Sequence, residues 1–189
     1  MKSTSISRHF DTLEKQRELF IPNVKLLSKE QLWYRMNDGK WSIGEHLYHL
    51  YLMVRMIKVV TKCSFVLLPY AKLRRNAPFE TEIHDIFVAF QEKKGRGMSA
   101  PFVIAPPKKV RYSMDIMELE KVLEGKTNEL KTLVANIEEE VAGHIRFFDP
   151  MAKYPNLIQV IQLVAIHEQH HFRIIQRACD IEGTHNRYN

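Results

Sequence analysis

Two histidines, His167 and His171, sit in the middle of an apolar helical stripe. No other feature constrains the fold of this chain as strongly. At about 100° per residue the stripe runs through Leu157, Val160, Ile161, Val164, Ile175 and Ala178, and His170 points well off it. A stripe of that width must be covered by other elements, so both imidazoles are carried into a core. Positions i and i+4 approach to about 5–6 Å at Cβ. Two imidazoles so placed can share one metal ion, which repays the cost of burying them. The competing reading is a pair of core histidines bonded to backbone or to each other.

The same helical spacing dominates the rest of the chain, and no run of alternating residues suggests a sheet. A first helix is predicted over Ile6 to Phe20, with Phe10, Leu13, Arg17 and Phe20 on one face and Pro22 ending or bending it. A short turn or second piece follows at 26–32. Trp41-Ser42-Ile43-Gly44-Glu45 reads as a helix start, because Ser42 can cap the first turn while Glu45 reaches back to it. Ile43, Leu47, Leu50, Val54 and Ile57 form its inward stripe, and Pro69 kinks it or starts a new segment. Residues 76–113 are punctuated by proline and glycine, with a short helix expected from Glu82 to Phe90. Asp115 and Glu118 offer another capping box, opening a helix with Ile116, Leu119, Leu123, Leu130, Leu133 and Ile137 inward. Asn156 can cap the last helix, expected to reach about Ile181. Four long helices with one long irregular crossover make an all-α four-helix bundle the natural fold, in a single domain over residues 1–189.

Composition narrows the classes of function. Residues 1–113 hold 20 Lys and Arg against 10 Asp and Glu, whereas residues 114–189 hold 8 against 12, which accounts for the net charge of +6. The basic clusters at 72–75, 93–96 and 108–111 read first as solvated loop charge and second as an attraction for anionic small molecules. No nucleic-acid motif accompanies them. No stretch is apolar enough to span a membrane, because Arg55, Lys58 and Lys62 interrupt the best candidate. Cys63 and Cys179 lack CxxC spacing, and no apolar run follows Met1, so a reduced cytoplasmic location is expected.

A bundle core builds metal sites from side chains on facing helices. His167 and His171 need a third ligand, and the helix after Ser42 offers His46 or His49. The helical wheel does not choose between them. Three neutral imidazoles leave an open coordination position, the pattern of a catalytic site. His9, His84, His144 and His185 have no pattern around them and read as surface or loop residues. His167-Glu168-Gln169-His170-His171 also matches H-E-x-x-H, with Glu168 as a general base. The extended metalloprotease form would place Gly and His where this chain has Ile174 and Arg177, and the sheet that holds a peptide substrate is missing.

The segment Trp41-Ser42-Ile43-Gly44-Glu45-His46-Leu47-Tyr48-His49-Leu50 resembles the W-S-x-x-E-x-L-x-H-L signature of the DinB/YfiT-like superfamily. His167 to His171, followed by Gln176, resembles that family's C-terminal H-x-x-x-H segment, and Phe147-Phe148-Asp149-Pro150 falls where its members enter that helix. The resemblance implies an up-down-down-up four-helix bundle, often homodimeric. Its divalent metal would be held by His49, His167 and His171. It also implies a choice of chemistry. Some relatives resemble transferases that use a low-molecular-weight thiol of the mycothiol or bacillithiol type on a small electrophile. Others are described as metal-dependent hydrolases, here of a small amide or ester. A third reading is a non-catalytic helical binding module. In either catalytic reading Glu168 is the candidate catalytic residue, as proton acceptor or as support for the ligands; its ordinary alternative is a surface carboxylate. Imidazole ligands suit Zn, Ni or Fe, and Cu as well, so ligand type does not select the metal. Basic residues of the crossover would hold the carboxylates of an anionic thiol.

Overall fold

Each long helix begins where a side chain can answer its open first-turn amides. In the computed structural model of the protein, residues 1–35, 40–83, 102–148 and 154–185 are described. Ser3 accepts from the Ile6 amide and opens α1 (Thr4–Val24). Ser28 and Gln31 form a capping box on the short α2 (Lys29–Trp33). Ser42 and Glu45 form the expected one on α3 (Ile43–Ser64). A 3-10 turn then leads into α4 (Leu68–Leu73), with Pro69 in its first turn, so the proline starts a new segment. Asp115 and Glu118 cap α5 (Ile116–Val134), and the four-residue α6 (Glu139–Ala142) follows. Asn156 and Gln159 exchange reciprocal bonds at the start of α7 (Leu157–His185).

Among the described residues every regular element is helical, and the β structure amounts to one isolated bridge between Arg146 and Asn156. None of the described helices is long and apolar enough to cross a membrane. The expected stripes are buried: Phe10, Leu13, Leu47, Leu50, Val54, Leu119, Leu123, Leu130, Leu157, Ile161 and Ile175 join one hydrophobic cluster. Helix α3 packs on α5 and α7, while α1 packs on α7 and, at fewer points, on α5.

Three expectations need correction. Helix α1 runs through Pro22 to Val24 rather than stopping before it. The proline lies in the last turn, where its missing N–H costs a single ladder bond. His9 is buried within α1, neither a surface nor a loop residue. His144 lies in the turn after α6 as a loop residue but is buried there, its Nε2 donating to the carbonyl of Ala77 at 3.1 Å. Helix α7 continues past Ile181 to His185. The helix expected at Glu82 to Phe90 falls largely outside the described residues, as does the side chain of His84.

The start of α3 is held against α2 by a close backbone approach. A Cβ on Gly44 would stand 2.9 Å from the indole ring of Trp33. That indole is buried and donates through Nε1 to the carbonyl of Met114 at 2.8 Å, so it cannot retreat without losing the bond. Gly44→Ala is therefore expected to destabilise the protein by about 1–3 kcal/mol. Urea unfolding would show this as a lower midpoint at unchanged slope. A wild-type midpoint would mean that Trp33 moves freely.

The crossover returns to α3 through two 3-10 turns, Phe102–Ile104 and Lys108–Val110. Tyr112 then takes φ 60°, the left-handed region that a non-glycine residue enters at a cost of roughly 1–2 kcal/mol. Its neighbours impose that conformation. Arg111 reaches Glu45 at 2.9 Å on one side, and the amide of Ser113 donates to Val110 at 3.1 Å on the other.

A candidate metal centre of three histidines

Helices α3 and α7 face each other through their histidines. His49 Nε2 and His171 Nε2 each lie 3.0 Å from His167 Nε2. One nitrogen from each ring can be chosen so that all three lie within 4.8 Å of one another. Ligands sharing one ion at bonds of about 2.0–2.1 Å stand roughly 3.0–3.4 Å apart, and the two closest pairs sit at the short end of that range. His49 and His171 are buried and His167 is half-buried.

Hydrogen-bond logic tests whether these rings suit a cation. His49 Nδ1 lies 2.8 Å from the carbonyl of Ile104. A carbonyl only accepts, so Nδ1 carries the proton and Nε2 of the neutral ring presents a lone pair. His167 Nε2 can match that lone pair only by donating to it. It then has no lone pair for His171 Nε2, which stands equally near. A single N–H reaches both neighbours only as a divided, weaker bond, whereas one cation accepts three inward lone pairs. A metal-binding histidine that donates its other N–H to a backbone carbonyl is the usual supporting arrangement.

The electrostatics agree. Burial, reinforced by the neighbouring histidines, holds the His167 pKa at about 3 and pushes His171 below the usual histidine range. Burial also lowers His49, against the raising effect of its bond to Ile104. The three rings are neutral at pH 7, the form that binds metal.

The helical wheel left His46 and His49 as alternatives, and the two turn out to do different things. His49 aims Nε2 at His167, while His46 Nδ1 lies 2.8 Å from His171 Nδ1, on the side of that ring away from the other two. His46 thus buttresses His171. Trp41 opens both the helix start and the family signature, and its ring lies 4.9 Å from that of His49 and nearly parallel to that of His171 at 6.4 Å. It walls the cluster with an apolar face. The Ile104 carbonyl had no sequence signal, since a backbone acceptor in an irregular segment leaves no mark on residue type. His170 is exposed, as its position off the stripe predicts.

Glu168 is not a surface carboxylate. It is fully buried and accepts three bonds from Arg17 of α1, from Nε at 2.9 and 3.1 Å and from Nη2 at 2.7 Å. One turn on, Phe172 stacks on Phe20 with centroids 3.9 Å apart. Glu168 therefore turns toward α1 and holds the histidine-bearing turn of α7 there. Glu45, one turn before His49, is a second buried carboxylate. Burial pushes its pKa up, but bonds from Arg35, the Ser42 amide and Arg111 prevail and hold it at about 2.

A chain whose described elements are all helical, with three facing histidines on two of its long helices, belongs to a recognisable class. The family model described as the DinB superfamily matches residues 12–175, and the chain belongs to that superfamily. The matched span includes the capped start of α3 and all three histidines. No curated protein and no solved structure matched the chain.

Proposed function

We propose that this DinB-superfamily protein holds a divalent ion on His49, His167 and His171. We further propose that it transfers a low-molecular-weight thiol, of the bacillithiol or mycothiol type, to a small electrophile. The observation that carries the metal reading is the convergence of the three ring nitrogens, which no assignment of protons satisfies with one full hydrogen bond to each neighbour. The side-chain pairings support the up-down-down-up order of the family resemblance. Arg17 and Phe20 meet Glu168 and Phe172 in rising order, so α1 and α7 run the same way. Glu14 meets Lys131 and Lys25 meets Glu120 in opposite order, so α5 opposes α1. His46 and His49 likewise meet His171 and His167 in opposite order, so α3 opposes α7.

When bound, a divalent ion at such a site lowers the pKa of a thiol or water beside it and polarises an electrophile. The chain's own residues do the rest. The Ile104 carbonyl keeps His49 in one tautomer, His46 backs His171, and Trp41 covers one side of the cluster. Lys108 and Lys109 are exposed on the crossover that reaches α3 and supply positive charge for the carboxylates of an anionic thiol. In the transfer, the sulfur forms the new S–C bond and the electrophile's leaving group departs with the bonding electron pair. The thiol proton passes to solvent. Glu168 enters as the residue that holds the ligand turn, since Arg17 occupies both of its oxygens. A homodimer in the cytoplasm completes the proposal.

The test is turnover of metal-loaded protein on small electrophiles, with and without added thiol and chelator. Thiol-dependent turnover that chelation abolishes is the expected result. Turnover of a small ester or amide without thiol would replace the transferase with a hydrolase. Inactivity in both assays would favour a binding module.

A further inference from the structure

The segment that fixes the His49 tautomer lies outside the bundle and needs something to hold it there. Ile104 presents its carbonyl to His49 and buries its side chain, and the turn 102–104 packs on α3. Seven residues on, Arg111 crosses back to the same helix and donates through Nε to Glu45 Oε1 at 2.9 Å. Glu45 is one helical turn before His49 on α3, so the two contacts grip the crossover at adjacent turns. Between them Val110 is buried, and just beyond them the left-handed Tyr112 records a chain bent to reach this geometry. Glu45 is itself held in place: Arg35 donates to both its oxygens at 2.6 and 2.7 Å, and the Ser42 amide donates to one of them at 2.9 Å.

We propose that Arg111 is a positioning residue for the metal centre. By clamping the crossover to Glu45 it keeps the Ile104 carbonyl on His49 Nδ1, and so keeps His49 Nε2 unprotonated and aimed at His167. This rests on the metal reading above but is tested apart from it, because the tautomer of His49 can be observed in metal-free protein. Arg111→Met removes the clamp and keeps the aliphatic stem. Arg111→Lys retains a charged donor and serves as the conservative variant.

Protein labelled with 15N-histidine, stripped of metal, reports each ring's tautomer by long-range 15N–1H correlation. Wild type is expected to show His49 protonated at Nδ1, Arg111→Met a mixture of tautomers, and Arg111→Lys an intermediate result. Zinc titration of the same samples is expected to show affinity lowered about 10–100-fold in Arg111→Met, the usual cost of losing a group that orients a ligand. A purely structural role for Arg111 would lower the unfolding midpoint and leave the tautomer unmoved. An unmoved His49 tautomer in a folded Arg111→Met protein overturns the proposal, whatever the zinc result. If wild type takes up no zinc yet the tautomer shifts, the clamp stands and the metal reading falls.

Discussion

Alanine at His49, His167 or His171 is expected to abolish retention of a divalent ion, while His170→Ala retains it. The apparent binding free energy of four-ligand protein zinc sites is about 10–16 kcal/mol, or roughly 2.5–4 kcal/mol per ligand. One lost imidazole should therefore weaken binding about 10²–10³-fold, enough to strip the ion during purification. The two outcomes differ because His167 and His171 share the buried face of α7 with His49 opposite, whereas His170 lies one residue off that face and is exposed. Elemental analysis of untagged protein prepared without chelator gives the direct answer. A thermal scan gives an independent one. Free metal at a hundred times Kd stabilises a binding protein by about 2.7 kcal/mol. For a chain of this size that is a rise in Tm of roughly 5–10 °C. Wild type and His170→Ala should show the rise and the three ligand variants should not. Equal loading in all four variants would remove these histidines from the metal site.

The second large effect concerns stability. Arg17→Met should destabilise the protein by about 3–5 kcal/mol near neutral pH, because it strands the Glu168 carboxylate with no partner. The Arg17 side chain is 7% exposed and that of Glu168 0%, so water cannot replace the guanidinium. The pH dependence has a definite sign. Burial raises the Glu168 pKa while the Arg17 charge and hydrogen bonds oppose it, and in the variant burial acts alone. A carboxyl whose folded pKa exceeds its unfolded value, about 4.3, binds its proton more tightly when folded. Its cost is absent below that value and grows as pH rises through the folded pKa. The penalty of Arg17→Met should therefore shrink toward pH 4 and reach its full size at higher pH. The double variant Arg17→Met, Glu168→Leu should recover most of the loss, since an apolar pair leaves no buried charge. Urea unfolding of the wild type and the two variants across pH checks both statements. A penalty that does not change with pH, or a double variant no better than the single, would mean that the pair's contribution is packing rather than charge.

The outcome for Glu168 also bears on its place in the reaction. A group whose two oxygens are held by one arginine affects chemistry by keeping α7 seated on α1. Glu168→Gln should then lower stability and metal affinity together. A proton acceptor would instead lose turnover at unchanged affinity.

Local signals in the sequence determined the helices and their starts. Ser42 with Glu45 and Asp115 with Glu118 act over three residues, and the apolar stripes act over one helix face, so neither depends on the rest of the molecule. The i,i+4 spacing of His167 and His171 placed two imidazoles on one buried face by the same local geometry. The third histidine could not be found that way. His46 and His49 sit one turn apart on the flank of α3, and the choice between them rests on how α3 faces α7. The family signature pointed to His49 by comparison with relatives, not by geometry. The tertiary structure alone decided which residues support the site. The Arg17–Glu168 pair joins positions 151 residues apart, and the Ile104 carbonyl reaches His49 from 55 residues away. Charge balance in a core and the tautomer of a ring are set by what packing brings alongside, and neither leaves a local pattern in the chain.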